Sequence, residues 1–300
     1  MKITALQVLI FKSNSWIART FALPFVMILA SLSCGQNLDL EAPARATDAP
    51  DGERLLTLLG ETSGTLRQDE MLRQILAGNI PSRFRKLHGV CWNAAIPNEA
   101  GTLVSKRVCI YVSSDYLSIG SDADSLRVPI MPHYAQRVAD AWHCILPTPT
   151  IVDRIYKQAD VHLPPHPFNP RVYEISSLAV WNLSDKAIND QLAEASLTDE
   201  AIISGIKKDV VVTNRLAEKS RSPRVAIYGW HKLDNAPIQP LTLVHVASYV
   251  DYSHGIRLIS DTMTIDGATT SVTSILESPA LAWVLSDEGP MTSATIRYPY

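Results

Sequence analysis

The sequence predicts an α+β protein, with a mixed, largely antiparallel sheet, a helical and hairpin part first and a strand-rich part last. Three observations predict it. "DVVVT" (209–213), "RVAIYGW" (224–230) and "LTLVHVASYV" (241–250) are rich in Val, Ile, Tyr and Thr, which suits a pleated, half-buried surface. These segments follow one another without the regular alternation of strand and helix that marks a parallel sheet. In the first half, apolar residues recur at helical spacing on either side of a hairpin signal.

The chain has 300 residues, 46% hydrophobic and 19% charged, with a formal net charge of -3. That suffices for a sizeable core. It lacks the basic surplus of a nucleic-acid binder, so no nucleic-acid partner is expected.

Taken in order, Lys2, Lys12 and Arg19 precede the apolar run "TFALPFVMILASLS" (20–33), and no acidic residue occurs before Asp39. A basic start and a short apolar stretch ending in small residues make residues 1–33 a signal peptide. "SLSC" puts a small residue before Cys34, as in the bacterial lipobox, although Ser31 stands where Leu is usual. Three outcomes are open: lipidation at Cys34, which would hold the protein to a membrane surface, ordinary cleavage nearby, giving a periplasmic or extracellular protein, or a retained membrane anchor. Residues 34–53, rich in Ala, Pro and Asp, read as a flexible tether.

From Glu53 to Ala77 the pattern is helical, and "GNIPS" (78–82) breaks it. Cys91 and Cys109 are symmetric about residue 100 in a strand–turn–strand pattern. They would face each other in an antiparallel hairpin, where a disulfide is geometrically possible. Cys144 then reads as a small buried hydrophobe. "DYLSIGSDADSLRVPI" (115–130) reads as strand, turn and strand. One helix is expected over 132–143. Another starts at Thr148, with Pro149 at its first position. "VHLPPHPFNP" (161–170) is an extended connector. It either separates two domains, 54–165 and 171–300, or crosses a single one. A helical region over 184–204, a hairpin at Asp266-Gly267 and a helix over 278–285 complete the reading.

The candidate chemistry lies in the last third. Along an extended strand, His245, Tyr249 and Asp251 would share one face, with His254 just beyond and His231 ending the preceding strand. Asp251 is expected to orient a histidine, and His254 to act as general base, with His245 and His231 as further candidates. Ser253 is the adjacent hydroxyl. Arg257 would bind an anionic group through its planar fork, and Tyr249 and Trp230 would line the substrate cleft. The spacing of His231, His245, Asp251 and His254 matches no metal signature and HExxH is absent, so no metal is assigned and a cofactor is left unknown. Each residue also has a plain structural reading: His245 as a core histidine, Asp251 and His254 as turn formers, and Lys207-Lys208-Asp209 as a solvated strand start.

"SHGIRL" (253–258) resembles part of the L,D-transpeptidase signature. Ser253, His254, Gly255, Ile256 and Arg257 match in order, but the nucleophilic Cys between Gly255 and Ile256 is absent. Without a thiolate that family's covalent mechanism cannot operate, and no catalytic assignment is carried over. Residues 80–290 look like a group of exported bacterial proteins of unknown role, through "DYLSIGSD", "KKDVVVTNRL", "VAIYGWHKLDNAPIQPL" and "YVDYSHGIRLI". The combined expectation is an exported bacterial envelope protein, lipid-anchored or soluble. It would be a hydrolase-like enzyme acting on cell-wall glycan or peptide, with a polysaccharide or peptidoglycan partner. The alternative is a non-catalytic envelope or carbohydrate-binding protein.

Overall fold

The computed structural model describes residues 37–195, 201–218 and 222–299. The signal peptide and Cys34 lie outside the described residues.

Residues 37–53 are not the loose tether expected. Strand β1 (Leu38–Asp39) pairs with β2 (Lys86–Pro97), Leu38 opposite Leu87. Leu40 is buried, and Arg45 Nε donates to Asn79 Oδ1 at 2.8 Å. Pairing and two leucines anchor a segment whose composition suggests a linker. Helix α1 (Gly52–Gly60) is capped by the Asp51 carboxylate, which accepts from Arg54 N. A break follows, and α2 (Gly64–Leu76) begins at Gly64, whose φ of 55° is left-handed. Leu55 and Leu59 of α1 and Met71, Leu72 and Ile75 of α2 face the core.

The central hairpin joins β2 to β3 (Leu103–Ser113), with Cys91 opposite Cys109 and their sulfurs bonded. The Asn98 side chain closes the turn by accepting from Ala100 N and Thr102 N, as turn asparagines do. A small hairpin, β4 (Ser118–Gly120) with β5 (Ser125–Arg127), leads to α3 (Pro132–Ala141), β6 (Cys144–Ile145) and α4 (Pro149–Gln158). The Thr148 hydroxyl caps α4 by accepting from Ile151 N at 3.2 Å. Cys144 is buried.

The proline-rich stretch opens with β7 (Val161–His162), which pairs in parallel with β8 (Ile203–Ser204). Helix α5 (Leu178–Glu194) starts six residues before the expected 184, because the Ser177 hydroxyl accepts from Val180 N and caps it there. Residues 203–204 are strand, not helix. A four-stranded sheet follows, built from β9 (Lys208–Val210), β10 (Ile227–His231), β11 (Pro237–Thr242) and β12 (His254–Gly255), in the order β11-β10-β9-β12. The expected strand 241–250 does not form. Only its first two residues are strand, and β11 begins four residues earlier and contains Pro240. Pro is confined to such edge positions because it donates nothing to the ladder.

Strand β13 (Ile259–Ser260) inserts between β3 and β6. The hairpin β14 (Thr262–Ile265) to β15 (Ala268–Ser271) turns at Asp266 and Gly267, with φ of 50° and 80°. Its last residue, Ser271, caps α6 (Val272–Glu277). The expected helix 278–285 is replaced by a single 3-10 turn, Ala282–Val284, and Ser278 ends α6 rather than opening a helix. One apolar core runs from Leu40 to Tyr298 across both sides of the proline-rich stretch. Residues 54–165 and 171–299 therefore form one body. Among the described residues, no helix is long and apolar enough to cross a membrane.

Candidate functional site

The site is built where β12 joins the four-stranded sheet. β12 lies parallel to β9, with His254 level with Lys208 and Gly255 level with Asp209. Gly255 is required by packing, since a Cβ there would lie 2.7 Å from Lys207 Cβ and against the Tyr116 ring. The segment before β12 is shaped by Asp251. Its Oδ1 accepts from Ser253 N at 2.8 Å and from Ser253 Oγ at 2.5 Å, and its backbone carbonyl accepts from His254 N at 3.1 Å. This is the local turn that an Asp side chain makes with the backbone two residues on. Asp251 Oδ2 accepts from Tyr249 OH at 3.0 Å.

Three rings meet beside this carboxylate. His245 stacks on Tyr249 with centroids 4.3 Å apart, and Tyr249 meets His254 edge-on at 5.9 Å. His254 is buried, and neither ring nitrogen has a hydrogen-bond partner. Burial pushes its pKa down to about 4, against the opposing pull of the Asp251 charge, so the imidazole is neutral near pH 7. Burial works against ionisation of Asp251 too. The positive charge that His254 gains in acid, the Ser253 donors and Lys208 outweigh it and hold the carboxyl below its ordinary range.

Lys208 completes the group. Its ammonium sits 4.8 Å over the Trp230 ring, and burial lowers its pKa against the attraction of Asp251. Trp230 has a φ of 57°, an uncommon and costly conformation for a bulky side chain. It is held there by Trp230 N donating to Lys207 O and its indole Nε1 donating to Ile206 O, both at 3.1 Å. Tyr252 lies edge-on to Trp230 at 6.4 Å, and Phe168 and Tyr173 continue the aromatic row at spacings of 5.0 and 5.2 Å.

No family model, curated protein or solved structure matches the chain.

The arrangement departs from the sequence reading at five points. The Asp251 carboxylate orients Ser253 and Tyr249, not a histidine ring, because the Asx-type turn engages Oδ1 locally. His231 lies apart from the group. Its Nε2 pairs with Asp153 Oδ1 at 3.1 Å, and its ring stacks on Tyr156 at 4.3 Å. Arg257 is not poised for a ligand. It is 1% exposed, donates to the Ser113 and Ile203 carbonyls at 2.7 Å each, and lies over the Tyr116 ring at 4.3 Å. His245 and Tyr249 do converge, but through an irregular segment, since residues 243–250 are not a strand.

Lys207-Lys208-Asp209 is not a solvated strand start. Lys207 is buried, its ammonium donating to Tyr252 O and to Ser184 Oγ. Burial brings its pKa down to about 8. Asp209 faces inward beneath Arg257, accepts from Tyr116 OH at 3.1 Å, and is pushed up to about 6 by burial. Below lies a buried ion network, with Arg127 bonded to Asp115 at 2.7 Å and to Asp185 at 2.8 Å. Lys208 was missed as a site residue, although three charged residues directly before "VVV" are a readable signal. Among the described residues, no three His, Cys, Asp or Glu side chains gather as a metal-binding group.

Proposed function

We propose that the chain is a hydrolase-like enzyme of the bacterial envelope, acting on cell-wall glycan or peptide by water attack, with His254 as the proton acceptor. The observation that carries the reading is the buried, neutral His254 ring with both nitrogens unpartnered beside an ionised carboxylate. Leaving a buried polar group unpaired costs about 1–3 kcal/mol, and such exceptions call for an explanation. A neutral ring whose lone pair stays open to a substrate proton supplies one, as a weak base that the Asp251 charge assists. The Asp251 charge favours the imidazolium that forms, and the Lys208 ammonium favours negative charge developing on the substrate. Ser253 Oγ is committed to Asp251, so water rather than a serine is the nucleophile. Export rests on the basic start and apolar run of residues 1–33.

A second reading, a non-catalytic carbohydrate-binding protein, is favoured by the aromatic row ending in Tyr173, which is 40% exposed. Aromatic faces of this kind stack on sugars. One experiment separates the two. The mature chain, His254→Gln and Tyr173→Ala are incubated with peptidoglycan and a polysaccharide panel, with and without chelator, and release of reducing ends and amines is followed beside binding. Turnover that falls about 100-fold or more in His254→Gln supports the enzyme, since a general base contributes about that much. Equal release from wild type and His254→Gln removes His254 from the mechanism. Binding without turnover, lost in Tyr173→Ala, establishes the second reading instead.

A further inference from the structure

Lys208 is a second member of the His254 group that stands without a polar partner. Its backbone N donates to Ser253 O at 2.7 Å, and it lies level with His254 in the parallel ladder. Residues level on neighbouring strands carry their side chains on one face of the sheet, so the two side chains rise side by side. Lys208 then leans away from β12 toward β10, because its ammonium lies 4.8 Å over the Trp230 ring. An ammonium has three donors. Among the described residues, no oxygen accepts from those of Lys208. Asp251 acts on its charge, but Asp251 Oδ1 is taken up by Ser253 and Oδ2 by Tyr249.

One face thus carries two unfilled groups. One is an imidazole, 1% exposed, with both nitrogens open. The other is a half-buried ammonium with three open donors. Holding a cation partly out of water without an acceptor is unfavourable, and a carboxylate is the group that matches it. A sugar ring has little to stack on here. Trp230 is 7% exposed, with Lys208 over its face and Tyr252 edge-on to it. Strands lie about 4.8 Å apart, so an ammonium over β10 and a ring on β12 are separated by roughly 5–10 Å. That is the span of about two or three extended residues.

We propose that Lys208 selects the substrate of the His254 site by holding a free carboxylate of an acidic peptide, two or three residues from the amide that is cleaved. The inference rests on the reading of His254 as general base and narrows its substrate from glycan or peptide to peptide bearing a carboxylate. The chemistry balances as hydrolysis. Water adds to the amide carbonyl, the C–N bond breaks, and the proton that His254 takes from the water passes to the leaving amine.

The test uses the full chain, Lys208→Gln, Lys208→Arg and His254→Gln. The probes are soluble cell-wall muropeptides with free peptide carboxyls, the same muropeptides with those carboxyls converted to methylamides, and a neutral chitin oligosaccharide. Amine release gives kcat/KM, and calorimetry at low salt gives Kd. Wild type should favour the free-carboxyl form by about tenfold or more in both, the scale of one charge-assisted contact, and added salt should erode the preference. Lys208→Gln should treat the two forms alike to within about twofold, and Lys208→Arg should keep the preference. The wild-type comparison needs no variant to fold. His254→Gln should lose turnover and still bind the free-carboxyl form more tightly. Preferential binding without turnover by any of the proteins would sink the general-base reading and leave carboxylate recognition by Lys208 standing. Turnover that depends on His254 but is indifferent to the methylamide would do the reverse. Equal affinity for the two forms, a preference that survives in Lys208→Gln, tighter binding of the chitin oligosaccharide, or no binding of either muropeptide in the millimolar range would each overturn the proposal.

Discussion

Replacing Asp251 tests the local architecture of the site. In Asp251→Ala, Ser253 N and Ser253 Oγ lose the acceptor they hold at 2.8 and 2.5 Å, and Ser253 is 1% exposed, so water cannot replace it. Each buried donor left unmade costs about 1–3 kcal/mol. Tyr249 is half-buried, so its OH costs less than the two buried Ser253 donors. The loss should be about 3–5 kcal/mol, a large share of an ordinary domain's stability. Asp251→Asn keeps an oxygen for Ser253 and loses only the charge assistance, about 2 kcal/mol. Urea unfolding followed by circular dichroism measures both. The folded carboxyl titrates below its unfolded value, so its contribution is present above about pH 4 and is lost as pH falls through the folded value. The gap between wild type and Asp251→Asn should therefore close in acid. A loss below about 1 kcal/mol for Asp251→Ala, or equal losses for the two variants, would refute the reasoning.

Three further outcomes are expected. Between about pH 6.5 and about pH 4 the unfolded chain takes up a proton that folded His254 refuses. Stability should therefore fall across that window by at most about 3 kcal/mol, and His254→Gln should remove this part of the slope; parallel pH profiles of the urea midpoint would contradict it. Cys91 and Cys109 are separated by 18 residues, so reduction, or Cys91→Ser with Cys109→Ser, should lower unfolding free energy by about 3 kcal/mol; an unmoved midpoint would show that the bond contributes nothing. In Arg257→Lys a single ammonium cannot reach both the Ser113 and Ile203 carbonyls or cover the Tyr116 ring. A loss of about 2–4 kcal/mol is expected, visible in denaturation with folded activity retained, whereas a change confined to substrate affinity would restore a ligand-binding role.

Much of the fold is legible because its signals are local. The β2–β3 hairpin follows from two cysteines equidistant from a turn, α4 from Thr148-Pro149, and the β14–β15 turn from Asp266-Gly267. What is not legible depends on distant partners. Residues 37–53 have a linker's composition, yet Leu38 pairs with Leu87 and Arg45 reaches Asn79. Arg257 looks like a ligand-binding fork until the Ser113 and Ile203 carbonyls, 144 and 54 residues away, are brought to it. Pro240 conceals β11 because edge strands tolerate a residue that central strands exclude. In the site, the sequence singles out His245, Tyr249, Asp251 and His254, but strand alternation is not what unites them. An Asx-type turn and a stack of rings do. His231 belongs to Asp153 and Tyr156 because β10 ends at α4, a packing relation that spacing does not encode.

The central claim is that His254 is a neutral imidazole held without partners beside an ionised Asp251. Nitrogen-15 NMR of the His254 side chain, titrated with pH in the intact folded protein, measures that most directly. The account predicts a neutral ring from pH 8 to about pH 5, with protonation centred near 4. Titration at or above the ordinary value of 6.5 would mean an imidazole that is solvated or paired with the carboxylate, and would contradict it.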